Sequence, residues 1–291
     1  MLNGFININK VAGMTSQKVI SILKRILRNQ NVSFDKIGHL GTLDPDGEGV
    51  LPISLGRATR LFDYFLDKRK VYYTEFTFGT TTDTLDASGV EIDSCEKLPT
   101  LEEINAVIPS LCGSIAQIPP MYSAKSVDGQ RAYKLARKGE SVELRPKQVE
   151  IYSIKCVGQL SSDTFSFEIE CGGGTYIRSI ARDMATAVGS VGLMKYIKRL
   201  SSGGFNIDTA ITLEELENAN AEDYILPMSV GLAQFERFDA PVWQKKLIID
   251  GVKVTLKNPP KENFALYVDD ILVGIAKVDE EDRVRVITRL M

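Results

Sequence analysis

Asp44 stands in the run Gly38-His39-Leu40-Gly41-Thr42-Leu43-Asp44-Pro45-Asp46-Gly47-Glu48-Gly49-Val50-Leu51-Pro52, where the only histidine of the chain and four glycines crowd around an Asp-Pro pair. Glycine loses more conformational freedom on ordering than any other residue, so this density marks a loop that takes positive φ or lets a ligand approach its backbone. An aspartate followed by proline can be held as a nucleophile or base; on local chemistry alone the favoured reading is an Asp-Pro turn facing water. His39, read by itself, is a hydrogen-bonding turn residue. Elsewhere, Tyr72 in Lys-Val-Tyr could grip a flat uncharged ligand or pack a core. Arg178 in Gly174-Thr175-Tyr176-Ile177-Arg178 could hold a carboxylate ionised or sit on a helix surface, with Arg182 one turn further on the same face.

These residues need a frame, and hydrophobic periodicity supplies one. Phe5, Ile6 and Ile8 read as a first strand. After a Gly13-Met14 turn and a cap at Thr15 or Ser16, Val19, Ile20, Leu23, Ile26 and Leu27 recur at helical spacing. Lys70 to Gly79 alternates, putting Tyr72, Thr74, Phe76 and Phe78 on one strand face. A polar connection spans Thr82 to Gly89. Thr100 with Glu103 makes a capping box for a helix carrying Ile104, Val107, Ile108 and Leu111, and Thr212 with Glu215 makes a second. Strands follow at Val149 to Val157 and Thr164 to Cys171, and Gly172 to Thr175 turns the chain into a helix with Ile177, Ile180, Ala181 and Met184 inward. From about Phe235 come short strands, Ala265 to Val268, Ile271 to Val278 and Arg283 to Thr288, which read as a small β domain. The mixture predicts an α+β fold.

Composition narrows the function. No apolar stretch reaches the roughly 20 residues that span a bilayer, and the N-terminus has neither the basic region nor the apolar run of a signal peptide, so a cytoplasmic protein with no membrane partner is expected. Cys95, Cys112, Cys156 and Cys171 are scattered, and one histidine cannot complete a usual zinc site; reduced thiols and no metal are expected. A net charge of −3 argues against a nucleic-acid partner only as an average. Residues 1 to 60 carry eight basic and four acidic side chains, 119 to 147 seven and three, and 195 to 205 three and none, whereas 61 to 118 carry four and ten. Such runs fit a solvated helix face or a track for phosphates; Lys24, Arg25 and Arg28 would share one helix, and Arg131, Lys134, Arg137 and Lys138 another.

The run from Gly38 to Pro52 resembles the catalytic loop of the TruB family of tRNA pseudouridine synthases, Gly-His-x-Gly-x-Leu-Asp-Pro-x-x-x-Gly-x-Leu-Pro, with every fixed position filled. The first motif of the family is similar too, with Lys10, Gly13, Thr15 and Ser16 retained and Val11 standing where proline is usual. Pro119 to Lys125 resembles its Pro-x-Met-Tyr-Ser-Ala-x-Lys stretch, with Lys125 one place early. The resemblance implies a pseudouridine synthase fold, a mixed and largely antiparallel sheet flanked by helices, over residues 1–233, with an RNA-clamping insertion at 119–147. Residues 234–291 look like a PUA domain, an RNA-binding barrel; a structural β lobe is the plainer reading.

By resemblance the substrate is uridine 55 in the T loop of tRNA, whose C1′–N1 bond is broken and replaced by a C1′–C5 bond. Asp44 is then the catalytic carboxylate. It could attack C1′, assist elimination to a glycal, or add to C6 of the base. The uridine must leave its stack, and stacking is the natural way to hold it. The resemblance gives that role to Tyr72, which also abstracts a proton late, pairs Arg178 with Asp44, and lines the pocket with Tyr176 and Leu200. It sets Asp83 to organise the pocket, Lys10 on the substrate side, and His39 against the opened RNA. Glu48 gets no chemistry, because its family position varies. No cofactor is implied, since the isomerisation has no net redox change, and the family suggests a monomer. Two rivals remain, a non-catalytic tRNA-binding chaperone and a different nucleoside or glycoside enzyme.

Overall fold

A computed structural model describes residues 2–66, 68–122, 126–127, 130–131 and 144–291. In chain order the strands are β1 (Gly4–Lys10), β2 (Ile37–His39), β3 (Glu48–Leu55), β4 (Lys70–Phe78), β5 (Thr80–Thr82), β6 (Glu91–Ser94), β7 (Gly113–Gln117), β8 (Ser126–Val127) and β9 (Gln130–Arg131). They continue as β10 (Lys147–Gln159), β11 (Thr164–Cys171), β12 (Gly192–Ser202), β13 (Phe205–Asn206), β14 (Arg237–Ala240), β15 (Phe264–Val268), β16 (Ile271–Val278) and β17 (Val284–Arg289). The helices are α1 (Ser16–Asn29), α2 (Asp63–Leu66), α3 (Leu101–Val107), α4 (Ile177–Ala187), α5 (Leu213–Asn218) and α6 (Lys245–Ile249).

One sheet of nine strands runs β1-β3-β12-β4-β11-β10-β7, with β2 added on β3 and β13 on β12. All its pairings are antiparallel except that of β3 with β12, which matches Lys198 to Glu48 and Arg199 to Gly49. The mixed, largely antiparallel α+β expectation holds. On β4 the alternation is complete, with Lys70, Tyr72, Thr74, Phe76 and Phe78 buried and their neighbours half-buried. Thr15 caps α1 by accepting from the Lys18 amide, and both capping boxes form. One core joins Ile6 and Ile8 of β1, Leu23 and Leu27 of α1, Phe76 of β4, Phe167 of β11, and Ile180 and Met184 of α4.

Two strands depart from the sequence reading. The glycine-rich run is a loop only in its middle, since His39 ends β2 and Glu48 begins β3. From Gly49 to Leu55 every residue of β3 is buried, so the strand sits between β1 and β12 and shows no alternation. Likewise β12, interrupted by two register shifts, hides its period. The expected clamp at 119–147 falls largely outside the described residues, Lys125, Lys134, Arg137 and Lys138 with it.

A second sheet, β14-β15-β16-β17, follows the expected C-terminal strands and adds β14, parallel to β15. Its own core holds Phe264, Leu266, Val268 and Val273. It also abuts the larger sheet. Phe5, whose ring lies 5.6 Å from that of Phe65 and 5.5 Å from that of Phe205, shares a cluster with Leu232, Ala265, Ile275 and Leu290. Polar ties reinforce the contact: Arg60 donates to the Arg289 carbonyl at 2.7 Å, and the Tyr64 and Thr288 hydroxyls lie 2.8 Å apart.

Candidate active site

The segment between β2 and β3 carries Asp44 and is braced from three directions. From the start of α1, buried Ser16 donates its hydroxyl to the Leu43 carbonyl at 3.0 Å and accepts from the Leu43 amide at 2.9 Å. From the end of β1, Lys10 donates to the carbonyls of Val11 at 3.1 Å, Pro45 at 2.8 Å and Gly47. Three donors meet three acceptors, which makes an ammonium tolerable where only 1 % of the residue is exposed. Burial lowers the Lys10 pKa, while Asp46, Asp44 and Glu48 oppose the shift. Lys10, expected on the substrate side, therefore props the loop from inside and lines neither of the cavities onto which Asp44 opens. From β12, Arg199 reaches the carbonyls of Gly41 and Val50.

Asp44 opens onto two adjoining cavities. The larger, of about 760 Å³, is also lined by Thr84, Asp86, Tyr122, Arg178, Tyr196 and Ile197. The smaller, of about 350 Å³, has Tyr72, Tyr176 and Arg199 in its wall. Arg178, near the start of α4, binds Asp44 through Nη2 at 3.0 Å and Asp86 through Nη1 at 3.2 Å. The same nitrogens donate to the carbonyls of Tyr122 at 3.2 Å and Thr84 at 3.0 Å. Although 41 % of the Asp44 side chain is accessible from the cavities, protein encloses its other sides. That desolvation raises its carboxyl pKa, with Asp86 adding to the shift and Arg178 and Lys10 opposing it. The result is an oriented carboxylate with a firm guanidinium partner and one face open to a ligand.

Tyr72 and Tyr176 line the smaller cavity with Asp44. Burial pushes the Tyr72 phenol up to about 12, against the influence of Arg199. Tyr176 is fixed through its backbone, its amide donating to Gln117 Oε1 at 2.8 Å and its carbonyl accepting from Gln117 Nε2 at 3.2 Å.

Three candidates lie elsewhere. Leu200 lines neither cavity; Ile197 and Arg199, two apart on β12, take the cavity side, and Ile197 is the apolar residue in both walls. Asp83 accepts from the Val90 amide at 2.8 Å and so closes a turn. Three residues on, past Leu85 at φ 60°, Asp86 is the carboxylate that reaches Arg178. The Thr84 hydroxyl at 2.7 Å and the Ser88 hydroxyl at 2.6 Å hold its other oxygen. Asp86 was missed because Thr-Asp-Thr-Leu-Asp offers two acids, and only the backbone reversal at Leu85 decides between them. His39 sits half-buried at the end of β2 outside both cavity walls; burial, then Arg199, lowers its pKa.

Residues 24–177 match the model of the TruB family pseudouridylate synthase N-terminal domain. The chain is 35% identical over 289 residues to tRNA pseudouridine synthase B of Alkaliphilus oremlandii, covering 97% of this chain and 95% of the relative. It is 37% identical over 288 residues to tRNA pseudouridine synthase B of Streptococcus sanguinis, covering 96% and 97%. Among solved structures, a Cbf5-Nop10-Gar1 complex superimposes with a TM-score of 0.73 and 25% identity over 99% of this chain and 85% of that one. An H/ACA RNP bound to a substrate RNA containing 2′-deoxyuridine shares the fold, with a TM-score of 0.74 and 22% identity over 99% and 85%. The large mixed sheet with its carboxylate loop is thus a pseudouridine synthase fold. Within that class, the chain belongs to the TruB family of pseudouridylate synthases.

Proposed function

We propose that the protein converts uridine 55 in the T loop of tRNA to pseudouridine, acting in the cytoplasm as a monomer without a cofactor. One observation carries the reading: a carboxylate held by a buried arginine, with one face open to a cavity that also contains a sheet tyrosine. Asp44 drives breakage of the C1′–N1 bond, the freed uracil turns within the walls formed by Tyr72, Tyr176 and Ile197, and C5 bonds to C1′. The C5 proton then leaves, so the atoms balance without a redox partner. Tyr72 supports the flipped base by stacking. The relatives named tRNA pseudouridine synthase B support tRNA as the substrate. So does the charge of α1: Lys24 and Arg28 line an open groove of about 640 Å³ together with Lys36, while Arg25 pairs with Glu217 at 3.1 Å. We divide the chain into a catalytic domain, 1–233, and a PUA-like RNA-binding domain, 234–291, a division that the separate second sheet supports.

The test is a tRNA transcript tritiated at uridine C5. Label is released to water, and a transcript in which uridine 55 alone is replaced by cytidine releases none. A folded preparation that binds the transcript and releases nothing would leave the chaperone reading. The two acids after β5 are separable in the same assay. Asp86→Asn lowers single-turnover release by about 10²-fold, because Arg178 loses one of its two negative partners, is held less firmly, and Asp44 shifts with it. Asp83→Asn keeps a carbonyl for the Val90 amide and releases label at close to the parental rate.

A further inference from the structure

Arg199 is among the largest fully buried side chains of the protein, with 1 % of the residue exposed. Among the described residues no carboxylate lies within ion-pairing distance of it; the acids at the site are engaged by Arg178. Its partners are instead backbone carbonyls. Nε donates to Val50 at 2.7 Å, Nη2 to Gly41 at 3.1 Å, and Nη1 makes a longer contact with Thr42 at 3.4 Å. Across the sheet Arg199 stands directly opposite Tyr72 of β4, and both residues line the smaller cavity.

Burying a guanidinium without a countercharge is costly, and neutral acceptors offset only part of that penalty. Simple packing would be better served by an apolar side chain of similar volume. What the arginine adds is geometry. Gly41 and Thr42 precede Asp44, and Val50 follows it, so one planar fork joins both legs of the loop. The same residue is the cross-strand neighbour of Tyr72 on β4, which lines the smaller cavity together with Asp44. The backbone of Arg199 is itself fixed. At Gly49, φ is 93° and a Cβ would lie 2.2 Å from the Arg199 carbonyl, so β3 and β12 meet at a distance that only glycine permits.

We propose that Arg199 is a positioning residue of the isomerisation. Through one buried guanidinium it ties both legs of the Asp44 loop to β12 beside Tyr72, and so sets where Asp44 stands relative to the tyrosine that shares its cavity. The proposal rests on the uridine-isomerising function given above. Lysine cannot replace the fork, because a single ammonium has no planar arrangement of donors to span Gly41 and Val50 together.

The test compares Arg199→Lys with the parent, alone and combined with Tyr72→Phe. Single-turnover tritium release by Arg199→Lys falls by about 10²-fold, the loss that misplacing reacting groups by about an ångström produces. Its Kd for unmodified tRNA stays within a few-fold of the parental value. In the Tyr72→Phe background the same replacement loses clearly less, because the two residues stand opposite each other in the sheet and are energetically coupled. Without RNA, backbone amides between 40 and 50 exchange faster in Arg199→Lys, while amides of the β10 and β11 core keep their protection. Full parental release by a folded Arg199→Lys, or unchanged exchange in that segment, overturns the proposal; so does a loss of release matched by an equal loss of RNA affinity. If the parent itself releases no label, the functional reading fails, and the amide exchange still decides whether Arg199 holds the loop. Should Arg199→Lys not fold, Arg199→Gln, which keeps a planar donor, takes its place with the same expected outcomes.

Discussion

Asp44→Asn binds unmodified tRNA as the parent does and releases no C5 label, a loss of at least about 10⁴-fold in single-turnover rate. The amide keeps the shape of the carboxylate and can still accept from Arg178 through its carbonyl oxygen, so the cavities retain their walls. What disappears is the negative charge and nucleophilic oxygen at the face open to the ligand. Filter binding and tritium release on one preparation check the two halves; an Asp44→Asn protein that turned over at the parental rate would remove Asp44 from the chemistry.

The same variant carries a pH signature in its stability. Burial raises the folded-state pKa of Asp44 above its ordinary value of 3.8. Between those two values the folded protein binds more proton than the unfolded chain, so stability declines as pH rises through that window, and the ionised group detracts from stability above it. Asparagine has no such dependence. The Tm of Asp44→Asn relative to the parent is therefore highest at neutral pH and declines as pH falls toward 3.8. Scanning calorimetry at a neutral and an acidic pH measures the difference.

Arg178→Met costs about 10²- to 10³-fold in single-turnover rate, the scale expected for loss of one preorganised charged group in an enclosed site. It also moves the acid limb of the pH–rate profile upward. Arg178 opposes the upward shift of the Asp44 pKa, and Asp86 reinforces that shift. With the guanidinium gone, the two carboxylates face each other unscreened, Asp44 keeps its proton to higher pH, and the rate falls off sooner on acidification. Arg178→Lys keeps a charge but cannot hold two carboxylates and the carbonyls of Thr84 and Tyr122 at once. Its limb moves less and its rate still falls. A profile for Arg178→Met that kept the parental acid limb would show that Arg178 does not govern the ionisation of Asp44.

Much of this architecture was legible in the chain because it is local. The cap at Thr15, the boxes at Thr100 and Thr212, the alternation of β4 and the three last strands depend on neighbours a few residues apart. The unread parts depend on distant ones. β3 is covered on both faces and so lacks alternation, and the register shifts of β12 break its period. The same shifts disguise which residue of Ile197 and Leu200 turns toward the cavity. The resemblance puts Lys10 on the substrate side, and no local pattern reveals three carbonyls converging on it. Arg199 carried no signal beyond a basic run, for its acceptors lie on a loop some 149 residues earlier.

The parallel contact between β3 and β12 has a consequence during synthesis. Long-range pairing must overcome loop-closure entropy before its contacts stabilise anything, and strands joined in parallel demand a long intervening chain. A chain still on the ribosome and short of β12 can form α1 and pair β1 with β3, yet the exit from the Asp44 loop has neither its neighbour strand nor its guanidinium. The basic α1 is thus made long before the catalytic loop can be set. On the proposed function, an unfinished copy that meets RNA is expected to be inert, with competence arriving in one late step as β12 closes into the sheet.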